Sequence, residues 1–102
     1  MIQVIDSKVL ENCSDRSVVK ELELSEAVGE LIMKRIARRG KLQYFPNFPR
    51  AYFRVDRNRF YVVQGVFGNT TLRVTFSPGR DVDAQKQLEA LIETPRSDES
   101  GS

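Results

Sequence analysis

Apolar side chains recur at every second residue through the middle of this chain and at every third or fourth on either side of it. From Lys41 the period is two, that of half-buried strands. Leu42-Gln43-Tyr44-Phe45 begins an extended segment, which Phe45-Pro46-Asn47-Phe48-Pro49 interrupts. Each proline lacks a ladder donor and pushes its predecessor toward extended geometry, so a bend or a sheet edge is expected there. Ala51-Tyr52-Phe53-Arg54-Val55 and Phe60 to Phe67 then read as a hairpin about Arg57-Asn58. Gly68-Asn69-Thr70 reads as the turn into a third strand ending at Phe76, before Ser77-Pro78-Gly79 stops the sheet.

Register follows from the same pattern. A two-residue turn at Arg57-Asn58 sets Val55 opposite Phe60, Phe53 opposite Val62 and Ala51 opposite Gln64. The next turn sets Val66 opposite Leu72, Gln64 opposite Val74 and Val62 opposite Phe76. All of these fall on one mostly apolar face, with Gln64 its single polar member. Arg50, Tyr52, Arg54, Arg59, Tyr61, Val63, Thr71, Arg73 and Thr75 fall on the other. Gly65 inside the second strand marks a bulge or close packing.

Before this block, Val28, Leu31, Ile32 and Ile36 form an apolar stripe at helical spacing, with Ser25 expected as N-cap and Gly40 as the left-handed residue after the helix. After it, Ala84, Leu88, Leu91 and Ile92 form another, with Asp81 or Asp83 as cap. Ile2-Gln3-Val4-Ile5 reads as a short strand. Val18 to Leu24 reads as a strand with its glutamates outward, a helical turn being the alternative. The predicted order is (β)(β)-α-β-β-β-α. This is an α+β domain over residues 1–94, with an antiparallel sheet of three to five strands, two helices packed on one face, and a disordered polar tail over 95–102.

Charge sharpens this outline. The net charge of +2 conceals −4 over residues 1–33, +10 over 34–80 and −4 over 81–102, and all nine aromatics lie in the middle block. Such asymmetry marks either an acidic or nucleic-acid partner or acidic flanks that fold back over a basic middle. Within 34-KRIARR-39 the bases complement the negative end of the first helix, and that ordinary reading is preferred for them.

Several chemistries are excluded or unsupported. The chain has no histidine and one cysteine, Cys13, which removes His-containing triads, histidine metal sites, structural zinc and any intramolecular disulfide. No phosphate-loop, dinucleotide or calcium-loop spacing occurs. No cofactor, metal or membrane partner is expected, nor an enzymatic activity. Cys13 reads as a passive thiol in a cytoplasmic protein.

Arg50, Tyr52, Arg54, Arg59, Tyr61 and Arg73 are the candidate binding face, and Phe45 and Phe48 the candidate protein-contact aromatics. Tyrosine, phenylalanine and arginine are enriched at protein interfaces. The leading reading is a non-catalytic module that contacts another protein or its own copy. The alternative is an RNA- or single-stranded-DNA-binding protein that stacks bases on the Arg/Tyr face. A ribonucleoprotein-type signature is not met, because Phe53 directly follows Tyr52 where glycine or alanine is wanted. The bland alternative is a solvated sheet face held by cross-strand pairs.

Overall fold

The computed structural model describes residues 2–93, so the tail expected over 95–102 lies outside the described residues. The elements in chain order are β1 Val4–Asn12, β2 Val18–Leu24, α1 Glu30–Ala37, β3 Lys41–Phe45, β4 Tyr52–Arg57, β5 Tyr61–Val66, β6 Thr71–Phe76 and α2 Asp81–Ile92. The strands form one antiparallel sheet in the spatial order β1-β2-β6-β5-β4-β3. Both helices cover one face, where Leu22, Phe53, Val55, Leu72, Val74 and Phe76 share a core with Ile32, Ile36, Leu88 and Ile92. The α+β class is as expected, and no helix among the described residues is long and apolar enough to cross a membrane.

The sheet has six strands rather than three to five. The added member is β3, which pairs with β4 from Lys41 opposite Asp56 to Phe45 opposite Tyr52 before the prolines bend the chain away. β1 also outruns the expected Ile2–Ile5, because it extends into a long hairpin with β2, interrupted by two bulges.

Helix α1 starts at Glu30, with Gly29 at its N-cap and no side-chain cap. Ser25 is therefore not the cap. Its hydroxyl accepts from Gln3 N–H at 2.9 Å and its own N–H donates to Gln3 O at 2.8 Å, tying β1 to the end of β2. The later start resets the buried stripe to Ile32, Met33 and Ile36 and leaves Leu31 exposed. Gly40 serves close packing, since a Cβ there would lie 2.6 Å from Val55 Cγ1. In α2, Asp81 and Asp83 occupy the first turn and Arg80 is the N-cap, without a side-chain cap.

The two helices are tied at their C-terminal ends by a buried arginine. Arg35, 5% exposed, donates from Nη1 to Ile92 O at 2.7 Å, one of the carbonyls that helix geometry leaves without an intrahelical partner. The guanidinium also complements the negative end of the α2 dipole. Replacing Arg35 by methionine keeps most of the volume and removes this bond. The variant is expected to lose about 2 kcal/mol in urea denaturation, the usual worth of a hydrogen bond to a charged group. A loss below about 0.5 kcal/mol would show that the clamp is not structural.

The register of the first hairpin differs from the expected one. Val55 faces Val63, and Arg57 faces Tyr61. The connection is Asn58-Arg59-Phe60, closed by Phe60 N–H donating to Arg57 O at 3.0 Å, with Arg59 at φ 72° in the left-handed region. The offset is an odd number of residues, so every β5 side chain changes face. Tyr61, Val63 and Gly65 are buried, and Val62, Gln64 and Val66 look outward. The second hairpin slips by one residue, placing Gly65 opposite Leu72, and this restores the expected parity between β4 and β6.

Candidate protein-contact edge and open face

The helix-free face of the sheet is organised in cross-strand rows. The central row runs Lys8, Glu21, Arg73, Gln64, Arg54 and Gln43 across all six strands. One flanking row carries Val19, Thr75, Val62, Asp56 and Lys41. The other ends in Val66, Tyr52 and Phe45. Acids alternate with bases on this surface, since Glu21 sits opposite Arg73 and Asp56 opposite Lys41. The acidic N-terminal third thus folds beside the basic middle here, and the face is close to charge-balanced. A shallow cleft of about 260 Å³ opens on it, lined by Glu21, Tyr52, Gln64, Thr71 and Arg73 among others.

The six residues expected to converge on this face separate into three groups. Tyr52, Arg54 and Arg73 lie on it. Arg50 lies in the β3–β4 connection, beside Gly68 of the β5–β6 turn. Arg59 is at the tip of the β4–β5 turn, at the opposite end of the strands. Tyr61 is 1% exposed on the helix side, with its ring edge-on to Phe76 at 6.2 Å. Among the described residues its hydroxyl has no well-formed hydrogen bond, although the Arg57 guanidinium approaches it. Burial raises its pKa, and the nearby Arg57 donor together with the charges of Arg57 and Arg39 acts in the opposite direction.

Phe45 and Phe48, by contrast, come together with Tyr52. Phe45 and Phe48 stack at 5.5 Å, Phe45 and Tyr52 at 5.6 Å, and Phe48 and Tyr52 at 6.1 Å, with interplanar angles of 15–26°. The prolines on either side of Asn47-Phe48 fold the loop so that the Phe48 ring turns back onto the sheet. Phe48 nonetheless remains 54% exposed. The cluster stands at the end of β3, an edge strand whose five residues are all exposed. Leu42 and Tyr44 lie on its helix side yet are 38% and 42% exposed, because the helices do not reach this margin.

The two sheet edges differ in protection. β1 carries two bulges together with Asp6, Lys8 and Glu11, the usual devices against strand addition. β3 pairs with β4 without a register shift and bears one charge, Lys41. Elsewhere, the Cys13 thiol donates to the Glu11 carboxylate at 3.8 Å. Among the described residues no three His, Cys, Asp or Glu side chains gather as metal ligands. Comparison of the chain with protein-family models, with curated proteins and with solved structures finds no match.

Proposed function

We propose that this domain is a non-catalytic protein-contact module that works by strand addition at β3, and that the partner its geometry fits best is a second copy of itself. The observation that carries this reading is the stacked Phe45–Phe48–Tyr52 cluster, half-exposed beside an unguarded apolar edge strand. Rings already held against one another lose little side-chain freedom when a partner covers them, so their burial converts efficiently into affinity. The β3 sequence is also self-complementary. In a two-fold antiparallel pair centred on Gln43, Leu42 meets Tyr44 of the second copy on one face. Lys41 meets Phe45 on the other, a cation over an aromatic ring.

Sedimentation equilibrium from micromolar to millimolar protein tests this, with amide spectra across the same series. Self-association is expected, with line broadening centred on residues 41–52. Gln43→Glu is the discriminating variant. It places a carboxylate beside Arg54, whose Nη1 already donates to Gln43 Oε1 at 3.3 Å, so the monomer is not harmed. Across the two-fold it sets like charges directly opposite each other. Dissociation is expected to rise about tenfold or more, and Phe48→Ala to weaken association by about 1–2 kcal/mol. A wild-type chain that stays monomeric at millimolar concentration, or a dimer indifferent to both variants, would overturn the reading.

A further inference from the structure

We infer that the end of the domain opposite the aromatic cluster is a second, separate binding site, and that its ligand is the phosphodiester backbone of nucleic acid. Three chain segments converge there. The turn after α1 brings Arg38 and Arg39 and leads through Gly40, packed against Val55 and Asp56, to Lys41. The end of β4 and its turn bring Arg57 and Arg59. The connection from β6 to α2, held by Ser77 N–H donating to Phe60 O at 3.0 Å, brings Arg80.

Two of the guanidiniums are organised around an aromatic ring. Arg57 lies 4.4 Å and Arg80 5.1 Å from the centroid of Phe60. The two charges are therefore no farther apart than the sum of those distances, comparable with the screening length of about 8–10 Å in physiological salt. Arg57 further donates to Gln87 Oε1 at 2.8 Å, a neutral partner. Lys41 pairs with Asp56, the residue before Arg57, which places the α1 terminus at the same end of the sheet.

Two acids lie at this end, Asp56 opposite Lys41 and Asp83 in the first turn of α2, fewer than the five arginines. Asp81 pairs with Lys20 at 3.7 Å and Glu30 with Lys34 at 2.9 Å. Glu21 faces Arg73 in the sheet, and Glu93 accepts from Val4 N–H. The negative end of the α1 dipole amounts to about half an elementary charge, too little to balance Arg38 and Arg39 together with Arg57, Arg59 and Arg80. Arg59 adds a cost of its own, since a non-glycine residue at φ 72° is strained by about 1–2 kcal/mol. Close positive charges, two of them stacked on a half-buried ring, suit a chain of phosphates. Guanidinium groups bind such oxygens bidentately, and their planes are themselves surfaces on which bases stack.

The test is fluorescence anisotropy with a mixed-sequence single-stranded oligonucleotide, a duplex of the same sequence and inorganic polyphosphate, each titrated at several salt concentrations. Salt-dependent binding of an oligonucleotide is expected. The Arg57→Gln/Arg80→Gln variant should weaken it about tenfold and flatten the log–log salt slope by about 1.4, at ~0.7 per single-strand phosphate contact. Arg38→Gln/Arg39→Gln, at two exposed positions after α1, should do the same without touching the core. Arg54→Gln/Arg73→Gln on the charge-balanced face should leave binding unchanged. Absence of binding at low salt, loss through Arg54 and Arg73 instead, or tighter binding of polyphosphate than of either nucleic acid would each overturn the inference. None of these outcomes bears on association through β3.

Discussion

Replacing Gly65 by valine is expected to destabilise the domain by about 3 kcal/mol, the upper range for overpacking a well-filled core. Gly65 faces Phe53 and Leu72 on the buried side of the sheet, and a Cβ there would stand 2.5 Å from Phe53 Cε1 and 2.8 Å from Leu72 Cδ2. Phe53 has no room to yield, being fully buried with its ring edge-on to Phe67 at 6.4 Å. Thermal unfolding checks the size, since 1 kcal/mol moves the midpoint by about 4–8 °C in a domain this small. A double-mutant cycle checks the cause. Phe53→Leu in the Gly65→Val background should cost clearly less than Phe53→Leu alone, because the smaller side chain vacates the space that valine takes. Additive losses would mean that the glycine matters for another reason.

Tyr61→Phe is expected to stabilise the domain by about 1 kcal/mol, because it removes a buried hydroxyl that Arg57 approaches without a well-formed hydrogen bond, and keeps the ring. Tyr61→Ala should cost about 3–5 kcal/mol, the usual range for deleting a buried aromatic ring. On an open sheet face both changes would fall within about ±0.5 kcal/mol, so the pair decides which side of the sheet Tyr61 occupies. The pH dependence carries a second signature. Burial raises the Tyr61 pKa above its ordinary 10.0, so the folded state favours the protonated form. That contribution is whole below the ordinary value and is lost as pH rises through the raised one. The wild type should therefore unfold more readily in alkali than Tyr61→Phe does, relative to their stabilities at neutral pH. Equal alkaline profiles would place the hydroxyl in contact with solvent.

Tyr61 also shows where sequence reasoning lost the site. Alternation assigned the inward faces of β4 and β6 correctly, since Phe53, Val55, Leu72, Val74 and Phe76 are all buried. It failed on β5, where Phe60-Tyr61-Val62-Val63 offers apolar side chains in both parities. The length of the turn then decides, and a turn with arginine in the left-handed position carries little sequence signal, because glycine or asparagine is usual there. The signal that was present lay further along. The expected parity put Gln64 into the apolar row, whereas the opposite parity buries Gly65, the residue that admits the Phe53 ring. The aromatic edge was more legible, because the prolines around Phe48 announced an interrupted edge and its rings had no place in the core pattern.

The sequence by itself determined the α+β class, the helices on one face, the position of most strands and the absence of histidine chemistry. Each of these rests on local periodicity or on residue counts, which need no knowledge of distant contacts. Tertiary structure alone decided which residues share a surface. It moved Tyr61 into the core, placed Glu21 of β2 beside Arg73, and brought the turn after α1, Arg57 and Arg80 from three separate segments to one end of the sheet. Such placements depend on turn length and on non-local strand pairing. A shift of one residue there moves a whole strand's side chains to the opposite face while leaving its local pattern unchanged.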